Sequence, residues 1–231
     1  WHSDRKSFDL DQQTVIRMNR DTLYTSVIAD IYKGALLTIP DPGERYVSVG
    51  IYNQDNYVNR VFHKAGTYEL TLDEFDTPYV LVLARLLVDA SDPADLAAVN
   101  TLQDGFALSA NSNEPFISPN YDPDSYQRTF DALIELGRGL TDLAGMGGSK
   151  EQVDPVIHLI GCAMAWGGLP AEEVIYANVD PGLPLGEFRI VVPPVPVDGF
   201  WSITVYNKDG DLEKNDRDAY RNGDCITREN R

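Results

Sequence analysis

ALLTIPDPGERYVSVGIYNQD, residues 35–55, reads as a strand, a proline-marked turn, a second strand and a polar loop. Ala35–Ile39 and Tyr46–Asn53 are rich in aliphatic, β-branched and aromatic residues, and Pro40-Asp41-Pro42-Gly43 punctuates them. The same order returns 154 residues later as RIVVPPVPVDGFWSITVYNKD, residues 189–209. Pro40/Pro194, Pro42/Pro196, Ser48/Ser202, Tyr52/Tyr206, Asn53/Asn207 and Asp55/Asp209 are identical across the two stretches. Leu36/Ile190, Leu37/Val191, Glu44/Asp198, Tyr46/Phe200, Val49/Ile203 and Ile51/Val205 keep their chemistry. The expectation is one β unit used twice.

Working outward, Thr14–Met18, Leu23–Asp30, Tyr57–Phe62, Thr67–Leu72 and Tyr79–Val88 also carry strand composition. No helix-length segment separates them, which favours an antiparallel arrangement over a parallel one. The period then changes. Asp92-Pro93 starts a helix running to about Phe106, and Asp122-Pro123 starts a second after the loop Asn111–Asn120. Ser149 and Gln152 are spaced as a capping box for a third helix, whose Val156, Ile157, Leu159, Ile160, Ala163 and Met164 predict burial nearly all round. Pro170 opens a short helix through Tyr176, and the second β copy follows from Gly186. The fold class is therefore α+β and mainly antiparallel β, with two jelly-roll or sandwich-like halves and helices packed between them. The divisions are a β domain over 1–90, a helical segment over 91–179 and a second β domain over 180–231.

The chain of 231 residues can bury a sizeable core, and its net charge of −17 narrows the partners. Such a surface repels nucleic-acid phosphates and anionic bilayers, so no nucleic-acid partner is expected. No apolar run approaches the ~18 residues of a membrane span. Cys162 lies in the apolar run HLIGCAMAW and Cys225 in a polar one; two such residues make no disulfide framework or zinc pattern.

Four blocks, TVIRMNRDTLYTS (14–26), LLVDASDPADLAAVNTLQD (86–104), KEQVDPVIHLIGCAMAWGGLPAEEVIYANV (150–179) and VPVDGFWSITVYNKDGDLEKND (195–216), together resemble one family. It joins domain of unknown function 1254 (DUF1254) at the N-terminus to domain of unknown function 1214 (DUF1214) at the C-terminus. The resemblance implies two β-rich halves of jelly-roll type with helices between them, a homo-oligomer, and export to the periplasm or medium. It implies no activity and no cofactor. Family members continue through further strands with a cysteine pair that Cys225 does not match. On that resemblance the chain is a piece cropped at both ends, its second β half incomplete.

Candidate site residues start at Arg17-Met18-Asn19-Arg20-Asp21. On a strand, Arg17, Asn19 and Asp21 share one face, where a guanidinium, an amide and a carboxylate suit a small polar ligand. The alternative for the same residues is an internal Arg17–Asp21 pair locking a strand end. Tyr52 and Asn53, with Tyr206 and its neighbours, would line a cleft where the halves meet, or else fold their own loops through Asx turns. Trp166, before Gly167-Gly168, is placed to floor a pocket or to pack in the core. Asp209-Gly210-Asp211-Leu212-Glu213 alternates oxygen donors as a calcium loop does, but Lys214 stands where that loop needs glycine and Tyr220 where it needs glutamate. His2, His63 and His158 share no ligand spacing, so no metal site is expected. Two functions remain: a non-catalytic protein acting by ligand binding or assembly, and a hydrolase on a small polar substrate using Arg17, Asn19, Asp21 and Tyr24 near Trp166 or Tyr206.

Overall fold

Nine residues of β2, Thr22–Asp30, pair antiparallel with nine of β7, Tyr79–Leu87, from Thr22 opposite Leu87 to Asp30 opposite Tyr79. A computed structural model describes the chain except residues 14–16, 141–142, 178, 180–181, 185, 217–219 and 226–231, with the backbone alone over 221–225. The far side of β7 takes β4, Val47–Asn53, which in turn takes β5, Val58–Phe62. With β1, His2–Ser3, on the outer edge of β2, these make a five-stranded antiparallel sheet in the order β1-β2-β7-β4-β5.

A second sheet holds β6 (Gly66–Leu70), β3 (Ala35–Ile39) and β8 (Ala107–Ala110) in that order. The sheets share one core. Leu23 of β2, Val49 and Ile51 of β4, and Val82, Ala84 and Leu86 of β7 meet Leu37, Ile39 and Leu70 of the second sheet, all nearly inaccessible to solvent. Period-two alternation does the sorting. With these residues facing the core, Tyr24, Ser48, Gly50, Tyr52, Leu83 and Arg85 face the other way. Truncating Leu86 to alanine should cost about 2–5 kcal/mol in such packing.

Three helices begin with the same Asp-Pro step. In α2 (Pro93–Asp104), α3 (Pro123–Gly137) and α4 (Pro155–Met164), the preceding Asp92, Asp122 and Asp154 each accept a backbone N–H of the first turn. Proline at the first helical position costs nothing, because that N–H has no helical acceptor. A single turn, α1 (Leu72–Phe75), links β6 to β7. Gly137 lets α3 and α4 approach closely; a Cβ there would lie 2.0 Å from Met164 Sδ.

Several expectations need correction. The strand over Thr14–Met18 has its first three residues outside the described ones, and Arg17 sits in a turn at φ 56, so no strand face unites Arg17, Asn19 and Asp21. Ser149 and Gln152 close a turn, with Ser149 N–H donating to Gln152 Oε1 at 2.8 Å, and the third helix starts at Pro155 on Asp154 instead. That helix is half exposed: Val156 and Leu159 face solvent while His158, Ile160 and Gly161 are buried. β8 fills the gap between the expected helix end near Phe106 and the expected loop from Asn111, where no strand was expected. After Pro170 there is a turn and no helix. In the second of the two matched stretches, Arg189–Val192 forms no strand; Ile190 and Val191 are exposed. Their counterparts in β3 are held between β6 and β8, and no such pair of neighbours flanks residues 189–192 among the described ones. The strand that does form there is β9, Phe200–Thr204, paired with β10, Arg221–Cys225, in a two-stranded sheet.

Candidate functional site

The antiparallel register sets Tyr24, Arg85 and Ser48 in one row across three strands, on the face turned away from the main core. Over this face runs the chain after α4. Arg85 Nη2 donates to Gly167 O at 2.5 Å and to Tyr52 Oη at 3.1 Å, and Tyr52 O–H donates to the same carbonyl at 2.8 Å. One main-chain oxygen is thus pinned from two strands. The guanidinium also lies 5.6 Å from the centre of the Tyr24 ring. Trp166 stacks near Tyr52 with ring centroids 6.5 Å apart, yet stays 62% exposed. A small apolar patch of Tyr52, Val58, Leu83 and Leu169 surrounds the contact. Gly50 makes room for it: a Cβ there would meet the Tyr52 ring at 2.8 Å and Leu169 at 3.2 Å.

Arg85 differs from the arginines that form ion pairs. Arg5, Arg45, Arg60 and Arg138 each hold a carboxylate, whereas Arg85 has none among the described residues. Its Nη1 is buried and makes no hydrogen bond among the described residues. Burial disfavours its charge, but the hydroxyls of Tyr52 and Tyr24 outweigh that and raise its pKa. Burial also pushes the Tyr52 phenol above its ordinary value, although Arg85 pulls the other way, so it stays neutral and cannot cancel the guanidinium.

The residues singled out in the sequence fall into three groups. Asn19, Tyr24, Tyr52 and Trp166 are linked through or beside Arg85: Asn19 Nδ2 donates to Tyr24 Oη at 3.1 Å and to Thr22 Oγ1 at 2.8 Å. Asp21, Tyr206 and Arg17 lie alongside. Asp21 Oδ2 accepts from Ser202 Oγ at 2.8 Å, tying β9 to the start of β2. Tyr206 O–H donates to Met18 O at 3.2 Å, and its phenol, raised by burial, lies within electrostatic reach of Asp21, Arg17 and Tyr24. Arg17 gives its N–H to Gly210 O at 2.7 Å. Asn53 belongs to neither set; it is turned to its own loop and to Phe75 O. The Asx turn at Asn19, whose Oδ1 accepts the Asp21 N–H at 2.6 Å, does the positioning that a strand face was expected to do.

Arg85 itself was not among the residues chosen from sequence. The available signal was a lone basic residue inside the apolar strand YVLVLARLL. A charge within so apolar a strand needs a partner, and this one has tyrosines.

Two other clusters were weighed. Cys162 Sγ accepts from Asn56 Nδ2 at 3.1 Å and lies 3.7 Å from His158 Nε2, a grouping reminiscent of a thiol nucleophile. Burial pushes the thiol up rather than down, and both His158 nitrogens face carbonyl oxygens, of Met146 at 2.7 Å and Asp55 at 3.0 Å. An activated thiolate needs the opposite environment. A hollow of about 240 Å³ lies between β5 and the Pro170 turn, lined by Asn59, Arg60, Glu172 and Glu173 among others. Its arginine is already paired with Glu74. Among the described residues no three His, Cys, Asp or Glu side chains converge as metal ligands, and no helix is long and apolar enough to cross a membrane.

Comparison with known proteins finds a family model without an assigned role over the first part of the chain. Residues 1–71 match the family described as "Protein of unknown function (DUF1254)", a stretch that contains Arg17, Asn19, Asp21, Tyr24, Tyr52 and Asn53. The fold is similar to the crystal structure of the VPA0106 protein from Vibrio parahaemolyticus, with a TM-score of 0.63 and 17% identity, covering 90% of this chain and 74% of that one. At that identity the likeness is one of fold. No functionally curated protein matches.

Proposed function

We propose that the protein binds a small polar ligand, without catalysis, on the outer face of the five-stranded sheet beneath Trp166. The observation that supports this is the Arg85 guanidinium, set among tyrosines and, among the described residues, with no carboxylate partner and one buried nitrogen uncommitted. Burying such a charge is costly, and a ligand of opposite charge would offset that cost. The exposed faces of Trp166 and Tyr176 supply an apolar rim beside it, the mix of aromatic wall and few polar anchors that small-molecule sites use. A hydrolase would need a free nucleophile or general base in the same place. Asp21 and Asn19 are instead engaged by Ser202, Thr22 and Tyr24, which favours binding.

The test is a screen of small neutral, anionic and cationic molecules by ligand-observed NMR on the wild-type chain and on Trp166→Ala. Binding that weakens in the variant supports the site. If every ligand found binds both equally, or no ligand binds at all, the site is lost. Export belongs to the same proposal and rests on the family resemblance alone. Fractionation of the source cells, with the protein found only in the cytosol, would overturn that part.

A further inference from the structure

Two donors on this face are uncommitted. Among the described residues Arg85 Nη1 makes no hydrogen bond, and Tyr24, whose oxygen accepts from Asn19, donates its own hydroxyl proton to no group. Resting on the binding role proposed above, we infer that the ligand is an organic carboxylate with a flat, apolar body. Its carboxylate would be taken by Arg85 and Tyr24 and its body would lie along Trp166.

The charge pattern selects the class. The chain carries 36 acidic residues against 19 lysines and arginines, yet none of the acidic ones pairs with Arg85 among the described residues. A guanidinium donates in plane to carboxylate oxygens, and such charge-assisted bonds are about twice as strong as neutral ones. With Nη2 already held by Gly167 O and Tyr52, the remaining nitrogen suits one carboxylate oxygen, and a tyrosine hydroxyl suits the second.

The neighbours rule out the competing classes. A cation would find aromatic rings in Tyr24, Tyr52 and Trp166, but it would sit against the like charge of Arg85. A phosphate dianion wants more than one cation. Here Arg85 is the guanidinium at hand, Glu173 beside Tyr46 adds repulsion, and the opposite charges of Asp21 and Arg17 near Tyr206 offset each other. A neutral amide would leave the buried charge unpaired. A monocarboxylate avoids all three penalties, and the exposed, stacked Trp166 gives a ring-bearing one a surface that acetate cannot use.

The experiment uses the whole chain and five probes of matched size or charge: benzoate, benzamide, benzylammonium, acetate and inorganic phosphate, titrated by ligand-observed NMR. Benzoate is expected to bind about tenfold or more tightly than benzamide or acetate, since one charged hydrogen bond and one stacked ring separate them. Arg85→Gln should erase the preference over benzamide, and Arg85→Lys should keep part of it. Because Arg85 also holds the Gly167 carbonyl, Trp166→Ala is the second variant; it should weaken benzoate while leaving acetate unchanged. Equal binding of benzoate and benzamide, or binding of phosphate or benzylammonium alone, overturns the carboxylate inference and leaves the binding role standing. Failure of all five probes overturns the inference as well, and the wider screen above then decides the binding role separately.

Discussion

At Asn53 the side-chain Oδ1 accepts the backbone N–H groups of Asp55 and Tyr57, both at 3.0 Å; at Asn207 it accepts those of Asp209 and Asp211, at 3.0 and 2.9 Å. The main chain repeats too. Asn53 N–H donates to Tyr57 O and Asn56 N–H to Asn53 O, just as Asn207 donates to Asp211 O and Gly210 to Asn207 O. The fourth residue is left-handed in both, Asn56 at φ 64 and Gly210 at φ 90. Each preceding tyrosine donates its hydroxyl to a distant carbonyl, Tyr52 to Gly167 and Tyr206 to Met18. The strands that lead in do not match. β4 lies inside a five-stranded sheet and is buried at all seven residues, whereas β9 has one described partner strand and is half exposed throughout. An Asx-type loop is written in five or six residues and forms wherever they occur. A strand's surroundings depend on residues far along the chain.

The largest consequence concerns the two asparagines. Asn53 is buried, and besides holding its loop it donates to Phe75 O at 3.1 Å; the Asn207 amide reaches only the exposed Glu213 carboxylate. Asn53→Ala should cost about 2–4 kcal/mol, because a buried carbonyl and two N–H groups lose their partner together. Asn207→Ala, where water replaces the amide, should cost about 1 kcal/mol. Urea denaturation of both variants checks this. Equal losses would mean that loop geometry alone, and not its surroundings, sets the energy.

The tyrosines sharpen the contrast at the candidate site. Tyr52→Phe removes both the bond to Gly167 O and the acceptor for Arg85 Nη2, so it should cost about 1–3 kcal/mol. Tyr206→Phe gives up one bond at 3.2 Å to Met18 O, so about 0.5–1 kcal/mol is expected. Thermal melts rank the two. If Tyr206→Phe proved the more damaging, the seam between β9 and the start of β2 would be the more strongly anchored contact.

What the sequence made legible follows the same division. The strand Tyr79–Leu87, the hairpin-forming runs around Val47–Phe62 and the Asp-Pro helix starts at 92 and 122 were readable, because alternation and caps are local signals. The third start, Asp154-Pro155, was passed over for Ser149 although it carries the same two-residue signal. β8 was not readable: Ala107–Ala110 is a strand only because β3 offers it an edge. The candidate site was half legible. Asn19, Tyr24, Tyr52 and Trp166 do gather, but around Arg85, whose importance comes from its register opposite Tyr24 and Ser48. Register across three strands is a tertiary fact that no spacing in one stretch encodes.

One difference between the two matched stretches is a charge. Arg45 in the first has Gly199 as its counterpart in the second. Arg45 binds the Asp95 carboxylate through both terminal nitrogens and donates to Leu87 O at 2.6 Å, while Asp95 also accepts the Asp89 N–H at 2.8 Å. These bonds fasten the turn before β4 to the first turn of α2. The hydrogen bonds from Arg45 hold the Asp95 carboxyl below its ordinary value of 3.8. A depressed folded value means the unfolded chain binds the proton first, so the contribution is complete above about pH 3.8 and is lost as pH falls through the folded value. Arg45→Ala should therefore lower stability at neutral pH by about 1 kcal/mol, both side chains being partly open to solvent. The deficit should shrink as the pH drops below that of the free carboxylate. Denaturation curves for wild type and variant at pH 7 and pH 3 measure it. A deficit of the same size at both values would locate the arginine's contribution in its bond to Leu87 O, with Asp95 a bystander.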